Sequence, residues 1–322
     1  MTIMETAIDR GVAEALETML TIRTFEEKSA ELNATGKVGS VCTSVGQEAS
    51  AVGVVSTLQS NDLILTNHRS AGHLLARGAD PGRLFAEIAG KATGYCKGKS
   101  GSLHISVKEL GVVLTSTIVG GELSLAPGVG LSLSMQDTDA IAVVFFGDGA
   151  STEGIFHEAL NIAAVWELPV LFVCENNQWQ AFVHRTETML IQHVSEWARP
   201  YGMPAVTVDG NDVDAVNAAA RIAVDYVRKN RKPYFLETYT YRLRGHLEPD
   251  DQSYVNKDEL ASWKKKDPIV TLEARLVENG TLTTAELGAM KERVQQIIET
   301  AADFAMASPY PSLAEMTTDV YA

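Results

Sequence analysis

Short apolar runs recur along the chain and predict buried β-strands. Residues 140–146 and 170–174 are continuous apolar stretches rich in β-branched and aromatic side chains, which is the pattern of parallel strands covered on both faces. Residues 62–66 and 234–238 are further strand candidates. Helical patterns lie between these runs, and this alternation predicts an α/β fold with three layers, a parallel sheet between two layers of helices.

Apolar residues at helical spacing predict amphipathic helices over residues 11–32, 152–165 and 213–228. Thr283 and Glu286 have the spacing of a capping box, which predicts another helix near the C-terminus. The side chains expected on buried faces are Val12, Leu16, Met19, Leu20 and Phe25 in the first helix, Phe156, Leu160, Ala163 and Ala164 in the second, and Leu287, Met290, Val294, Ile297, Ala301 and Phe304 in the last.

No internal repeat, low-complexity tract or linker divides the chain. We therefore expect a single domain over residues 1–322, with a helical N-terminal segment of about residues 1–60 and a helical tail of about residues 266–322. The three lysines at positions 264–266 are expected to face solvent.

The charge of the chain limits its partners. It has 322 residues and a formal net charge of −14, and because nucleic acid and anionic membranes attract basic surfaces, we expect neither as a partner. No apolar run approaches the ~18 residues that a membrane span requires. The three cysteines are isolated, and the N-terminal residues show no basic segment followed by an apolar stretch, so we expect a reducing, cytoplasmic location. A phosphate-bearing ligand must then meet local positive groups.

The apolar run that ends at Phe146 is followed by Gly147-Asp148-Gly149-Ala150, and the run that ends at Cys174 is followed by Asn176-Asn177. Because the carboxyl ends of neighbouring parallel strands meet at one sheet edge, we expect Asp148 and Asn177 to lie close together. Their oxygens suit Mg²⁺ or Ca²⁺, and the glycines let main-chain N–H groups approach a phosphate. A metal-bridged diphosphate fits this arrangement. On residue type alone, Asp148 is equally a cap for the following helix.

Further motifs extend along most of the chain. They are Gly46-Gln47-Glu48-Ala49, His68-Arg69, Gly90-Lys91-Ala92-Thr93-Gly94, Gly101-Ser102-Leu103-His104, Ile118-Val119-Gly120-Gly121 and Thr240-Tyr241-Arg242-Leu243-Arg244-Gly245-His246. Together with the glycine turn and the asparagine pair, they resemble the α subunit of the thiamine diphosphate (ThDP)-dependent component of 2-oxo acid dehydrogenase and acetoin dehydrogenase complexes. The resemblance implies the three-layer ThDP-binding fold, with ThDP and Mg²⁺ as cofactors.

The resemblance also implies roles for the residues at the two strand ends. Asp148, Asn177 and the main-chain carbonyl of Trp179 match the protein ligands of the metal, whereas Asn176 is expected only to shape the turn. The turn that matches the cofactor-binding loop comprises Gly147, Asp148, Gly149 and Ala150.

Other positions match cofactor contacts outside that turn. Arg69 matches an arginine that holds the diphosphate, a task that suits a permanently charged fork. His246 matches a histidine that also faces the reacting carbon, so it is the predicted catalytic residue. The alternatives are a surface ion pair for Arg69 and an ordinary loop position for His246. The side chains of Ile118 and Val119 are also expected to pack in the core. The full set matched to the cofactor is His68, Arg69, Ile118, Val119, Arg242 and His246.

The function implied is cleavage of a C–C bond next to a carbonyl, either 2-oxo acid decarboxylation or acetoin cleavage, with transfer of the acyl unit to a lipoyl carrier. The cofactor supplies that chemistry, and the protein supplies placement and electrostatics. The family's pyrimidine-activating glutamate belongs to a β subunit, so we expect an α₂β₂ heterotetramer that is inactive as α alone. Its other expected partners are a lipoyl-bearing acyltransferase or acyl carrier protein and a 2-oxo acid or ketol substrate.

The chain departs from the family pattern at the substrate end. Residues 178–184 carry larger or ionisable side chains than many relatives, and Thr117, Glu122 and Ser124 also differ from the usual residues. Leu247 stands where a serine is common, which removes that phosphorylation site, and Val255 stands where an arginine is common. These changes, with Gln180 and His184, leave open a split transketolase-like enzyme that transfers a C2 ketol unit to a carrier protein. A noncatalytic diphosphate-binding module is a third possibility.

Overall fold

A computed structural model describes residues 3–136 and 138–319, with side chains from residue 11 onward. Its main sheet contains six parallel strands in the order β2-β1-β3-β4-β8-β7, and two short strands, β5 and β6, form a separate antiparallel hairpin. The strands are β1 (Leu63–Asn67), β2 (Val112–Ser116), β3 (Ala142–Gly147), β4 (Val170–Asn176), β5 (Trp179–Gln180), β6 (Val183–His184), β7 (Ala205–Asp209) and β8 (Tyr234–Tyr239). The predicted strands are therefore present, with ends that shift by one or two residues.

Ten α-helices are present in the described part of the chain. They are α1 (Ile3–Ala34), α2 (Glu48–Val55), α3 (Ala71–Ala76), α4 (Pro81–Ile88), α5 (Gly121–Met135), α6 (Gly154–Val165), α7 (Val213–Asn230), α8 (Lys257–Lys264), α9 (Pro268–Glu278) and α10 (Thr284–Ala307). None of these described helices has a stretch long and apolar enough to cross a membrane.

Alternate residues of the central strands face opposite layers of the molecule. On one side, Val144, Phe146 and Phe172 pack with residues of α5 and α6. On the other, Val143 and Phe145 pack with residues of α2 and α7. Because successive side chains of a strand point to opposite faces, both faces of β3 and β4 are buried, as their continuous apolar runs predict. The three-layer α/β/α fold is confirmed.

The helical ends of the chain form a further apolar cluster. Residues of α1, α3, α4, α9 and α10 share this cluster, and α10 packs on α1 and α4. The capping box of α10 is present, since the Thr283 hydroxyl accepts from the Glu286 main-chain N–H at 3.2 Å and the Glu286 carboxylate accepts from the Thr283 N–H at 2.8 Å.

Two helix predictions need correction. Ile297 and Phe304 of α10 are 45% and 48% exposed, and the helix instead buries Ile298, Ala302 and Ala305. The buried stripe therefore runs about one position later in that half of the helix. The helix predicted from residue 152 begins at Gly154, because Glu153 has extended φ and ψ angles and a 3₁₀ turn precedes it.

Candidate functional site

A cavity of about 330 Å³ opens at the carboxyl ends of β1 to β4, which is where open parallel sheets usually bind ligands. Register explains the convergence: Gly147 pairs with Glu175, and Asn176 pairs with Tyr239, so the segments after three strands meet. Six separate stretches of chain line the cavity: Gln47, Asn67, His68, Arg69, Ser116, Ile118, Val119, Gly120, Glu122, Gly147, Gly149, Ala150, Thr152, Glu153, Glu175, Asn177, Trp179, Gln180, Ala181, Arg242 and His246. All the predicted site residues are among them except Asp148.

Asp148 lies between the two cavity-lining glycines and is fully buried. Its Oδ1 accepts a hydrogen bond from the Asn177 main-chain N–H at 3.2 Å, whereas its Oδ2 has no protein partner. Burial raises the pKa of Asp148 to about 6, although nearby Arg185 opposes the rise. The helix-cap alternative is wrong, because the cap position of α6 is Glu153 and the Asp148 carboxylate does not bond to that helix. A buried carboxylate oxygen without a partner is a suitable cation ligand.

Asn177 and Trp179 bring two further oxygens to this corner of the cavity. The Asn177 Oδ1 accepts from the Trp179 N–H at 3.1 Å, which fixes the orientation of the carboxamide. In the β5–β6 hairpin, the Arg185 N–H donates to the Gln178 carbonyl at 3.0 Å. The facing pair Trp179 and His184 is therefore a non-hydrogen-bonded pair, whose carbonyls point away from the hairpin. The Trp179 carbonyl oxygen is therefore free to accept a hydrogen bond from a group outside the hairpin or to bind a metal there.

The oxygen donors of this site suit Mg²⁺, which needs fewer protein ligands than a metal that is held by protein groups alone. Within the described residues there is no cluster of three or more His, Cys, Asp and Glu side chains that could hold a metal. Mg²⁺ commonly takes only one or two carboxylates and completes its shell with water and phosphate oxygens. One carboxylate, one carboxamide and one main-chain carbonyl match that requirement, provided that a ligand supplies phosphate.

Arg69 is buried, and its hydrogen bonds go to neutral groups. It donates to the Thr43 carbonyl at 2.7 Å, to the His246 carbonyl at 2.8 Å and to the His246 Nδ1 at 3.1 Å. The surface-ion-pair alternative is wrong, since the side chain is inaccessible and contacts carbonyl and imidazole groups. Much of this guanidinium is already occupied by protein acceptors, which anchors its positive charge in the cavity wall.

His246 lines the cavity, so it is not an ordinary loop residue. Its main-chain N–H donates to the Asp250 carboxylate at 2.6 Å. Burial, followed by the charge of Arg69, lowers the pKa of His246 to about 4, and the same causes lower the pKa of His68 to about 3. Because arginine can only donate, Nδ1 of His246 must accept, and the neutral ring carries its proton on Nε2. His246 can therefore donate a hydrogen bond from Nε2.

Arg242 supplies the second positive charge of the cavity. It donates to the Ala181 carbonyl at 2.8 Å and to the Tyr254 hydroxyl at 3.0 Å. Burial, with Arg69 nearby, lowers the pKa of Arg242 to about 10, so the group stays charged at neutral pH. The same lining holds three glutamates, so the two guanidinium groups offer an anion local positive charge within a wall of mixed charge.

Ile118 and Val119 form an apolar rim rather than part of the core. Their side chains are 67% and 51% exposed, so the prediction of core packing is wrong for both. The turn that holds them is fixed by Ser116, whose hydroxyl accepts from the Ile118 N–H at 3.1 Å, and by Gly120, whose φ of +74° lies in the left-handed region. This geometry presents two apolar side chains at the mouth of the cavity.

Only part of the atypical substrate-end set reaches the cavity. Glu122 and Gln180 line it. His184 instead lies 3.2 Å from the Glu259 carboxylate, and the Ser124 hydroxyl donates to the Gly121 carbonyl at 2.7 Å. Asn176 also points into the protein, where its amide donates to the Glu237 carboxylate at 2.6 Å.

Sequence reasoning missed four buried polar residues of the cavity, which are Gln47, Asn67, Ser116 and Glu175. Gln47 stands in the motif Gly46-Gln47-Glu48-Ala49, but the φ of +99° at Gly46 that fixes its turn is a property of the structure, so the sequence held no signal that its side chain lines the cavity. Glu175 directly precedes the asparagine pair at the end of β4, where a site residue is expected. Its carboxylate lies 3.1 Å from the His73 Nε2 and accepts from the Ser50 hydroxyl at 3.1 Å, so it connects the cavity with the buried polar groups behind it.

Comparison with known sequences identifies the family of the chain. The sequence model described as the dehydrogenase E1 component matches residues 16–314. The chain is 43% identical over 305 residues to the acetoin:2,6-dichlorophenolindophenol oxidoreductase α subunit of Bacillus subtilis, covering 94% of this chain and 91% of that one. It is 37% identical over 309 residues to the pyruvate dehydrogenase E1 α subunit of Rhizobium meliloti, covering 95% and 89%. The chain therefore belongs to the dehydrogenase E1 component family, the ThDP-dependent family that its sequence resembles, and it matches α subunits of that family over nearly its whole length.

Proposed function

We propose that this chain is the α subunit of a two-chain ThDP-dependent oxidoreductase and that its cavity holds the diphosphate end of the cofactor together with Mg²⁺. The observation that carries the proposal is the meeting of Asp148, Asn177 and the Trp179 carbonyl beside two buried arginines. Three oxygen donors suit a hard cation, and the arginines suit the phosphate oxygens that it bridges.

Each cofactor residue then has a defined task. Gly147 and Gly149 bring the main chain of the turn to the cavity, with Ala150 following them. Arg69 and Arg242 balance diphosphate charge, and their hydrogen bonds to carbonyl groups hold both guanidinium groups in place. Ile118 and Val119 supply apolar contact at the mouth, where the ring end of the cofactor would lie.

Bound ThDP supplies the carbanion and electron sink for cleavage of a C–C bond next to a carbonyl. His68 and His246 stay neutral at physiological pH, because burial and Arg69 lower the pKa of both. His246 is the proposed catalytic residue, which donates a hydrogen bond from Nε2 to an oxygen of the substrate. The acyl unit then passes to a lipoyl carrier.

The partner assembly follows from the same proposal. Relatives of this chain are named as α subunits, so a β subunit completes the site, and we infer an α₂β₂ heterotetramer that serves a lipoyl-bearing acyltransferase. We propose that residues 1–322 act as one unit of that assembly, which the packing of α1 against α10 in the described part of the chain supports. Turnover by the purified α chain alone would overturn the requirement for a partner.

Calorimetric titration of the αβ complex with ThDP and Mg²⁺ tests the metal assignment. The Asp148→Ala variant should lose metal-dependent ThDP binding, because it removes the sole carboxylate of the proposed donor set. Asp225→Asn, at an exposed position of α7, is the control and should bind as the wild type does. Unchanged binding by Asp148→Ala would refute the ligand assignment.

Substrate assays separate the proposed reaction from ketol transfer. The αβ complex should be incubated with pyruvate, branched 2-oxo acids, acetoin and ketose phosphates, each with lipoyl and phosphopantetheine acceptors. Acyl transfer to the lipoyl acceptor from a 2-oxo acid or acetoin is the expected result. Turnover of ketose phosphate alone, with a phosphopantetheine acceptor, would instead favour the split transketolase-like alternative, and ThDP binding without any turnover would favour the noncatalytic module.

A further inference from the structure

Gln47 occupies a constrained position at the inner wall of the cavity. The residue is 1% exposed and lines the cavity. Its main-chain N–H donates to the Ser44 carbonyl at 2.8 Å, and its own carbonyl accepts from the Ala51 N–H at 3.2 Å. Gly46 before it has a φ of +99°, and a Cβ there would lie 2.6 Å from the Tyr241 carbonyl oxygen. The turn is thus packed closely against the segment that leads to Arg242, and the position of Gln47 is fixed.

The hydrogen-bond network determines which way the Gln47 amide faces. The Trp179 N–H donates to Asn177 at 3.1 Å, so Asn177 must present its oxygen there. The Asn177 Nδ2 then faces Gln47 and donates to the Gln47 Oε1 at 3.1 Å. Because Oε1 is engaged in that way, Nε2 is left on the other side of the amide. The positions of oxygen and nitrogen in the Asn177 and Gln47 amides are therefore both determined by the Trp179 N–H.

The Gln47 Nε2 has no protein acceptor although it is shielded from solvent. Because burying a donor without a partner is unfavourable, this arrangement calls for an acceptor from a ligand. The nearby polar groups of the wall include two guanidinium groups, which also only donate. A ligand group rich in acceptor oxygens and free of donors satisfies all three, and a diphosphate has this chemistry.

We propose, on the basis of the proposed function, that Gln47 is a positioning residue with two tasks at the diphosphate site. Its Oε1 holds the Asn177 carboxamide with its oxygen toward the Trp179 turn, where the metal is proposed to bind. Its Nε2 donates to an oxygen of the diphosphate. The residue thereby couples the metal ligand Asn177 to the anion that the metal bridges.

Two substitutions separate these tasks in the reconstituted αβ complex. Gln47→Glu keeps an acceptor oxygen for Asn177 but replaces the N–H donors with an acceptor. Gln47→Met has a similar length and removes both functions. Calorimetry with Mg²⁺ and ThDP should give, for each variant, a dissociation constant raised at least about tenfold, the factor that corresponds to about 1.4 kcal/mol. Gln296→Met, on the exposed face of α10, is the matched control and should bind with the affinity of the wild type.

A second readout addresses the metal rather than the phosphate. With ThDP held at the same multiple of each variant's own dissociation constant, the Mg²⁺ concentration that gives half-maximal binding should rise for Gln47→Met, because the Asn177 carboxamide is no longer held. It should not rise for Gln47→Glu. If Gln47→Met does not assemble with the β subunit, the ThDP affinity of Gln47→Glu decides.

The results also separate this inference from the proposed function. Wild-type affinity for Mg²⁺ and ThDP in Gln47→Glu would overturn the role of Gln47 while leaving the ThDP site in place. An equal loss in the Gln296→Met control would likewise overturn it, since the effect would then not be local. Absence of ThDP binding by the wild-type complex would instead refute the proposed function itself.

Discussion

Replacement of Glu122 by glutamine should make the protein more stable, and increasingly so as the pH rises. Glu122 lies in the first turn of α5 and is 1% exposed. Its Oε2 has no hydrogen-bond partner. Burial raises the pKa of Glu122 to about 8, with only its own main-chain N–H opposing the rise. Glutamine has nearly the same shape and cannot ionise, so the substitution isolates the electrostatic cost of this buried acid.

The magnitude follows from the two pKa values. In the unfolded chain this carboxyl loses its proton near its ordinary pKa of 4.5, and in the folded chain near about 8. Between these values the folded state binds more protons than the unfolded state, so the free energy of unfolding falls as the pH rises and levels off above about 8. A pKa difference of about 3.5 corresponds to about 5 kcal/mol in total. Glutamine removes this loss.

Urea unfolding of the wild-type and Glu122→Gln αβ complexes, at matched concentrations, measures the effect. The difference between their free energies of unfolding should grow by several kcal/mol from about pH 5 to about pH 8. Contributions of the β subunit are common to both complexes and cancel in this difference. Infrared difference spectra of the same pair should show a protonated carboxyl at neutral pH. Glu292→Gln, on the exposed face of α10, controls for replacing a carboxylate with an amide. A difference that does not change with pH would refute the burial argument.

Three other substitutions test packing, backbone and electrostatics. Phe156→Ala should destabilise the protein by about 3–5 kcal/mol in urea unfolding, since its ring is fully buried and packs near Phe146; a loss below about 1 kcal/mol would contradict this. Gly46→Ala should lower the melting temperature and weaken ThDP binding together, because the added Cβ meets a carbonyl at 2.6 Å and φ is +99°; unchanged values for both would show that the turn tolerates a side chain. Arg69→Met should raise the pKa of His246 above about 4, but not to its ordinary value, because burial is the larger cause; NMR titration of the imidazole checks it, and an unchanged pKa would exclude the charge of Arg69 as a cause.

The parts of the fold that local pattern determines were predictable. The runs at β3 and β4 are apolar at every position because both faces of these strands are covered. The sequence pattern alone therefore predicts that these strands are buried on both faces. The meeting of Asp148 and Asn177 also followed from sequence, because it requires only that β3 and β4 be neighbours, and they are.

The parts that depend on distant partners were not predictable. In α10, Ile297 and Ile298 are adjacent in sequence, and which of them is buried depends on how the helix rests on α1 and α4. The exposure of Ile118 depends on a left-handed glycine turn that hydropathy does not encode.

The hydrogen bonds of the site were equally hidden from sequence reasoning. The acceptors of Arg69 lie 26 and 177 residues away in the sequence, and the partner of Gln47 lies 130 residues away. Residue type predicted a cationic or polar group in each case. The direction in which each group points is set by tertiary packing, and only the structure supplies it.

Because the residues that line the cavity are dispersed along the chain, the cavity can bind a ligand only while the whole domain is folded. Six stretches of chain between Gln47 and His246 form the wall of the cavity, so the unfolded chain has no binding site. A compound that binds only the folded state raises the free energy of unfolding by RT ln(1 + [L]/Kd), which is about 2.7 kcal/mol when its concentration is a hundred times Kd. Under the proposed function, proteases should therefore cleave the chain faster in the absence of ThDP, and added ThDP should protect it.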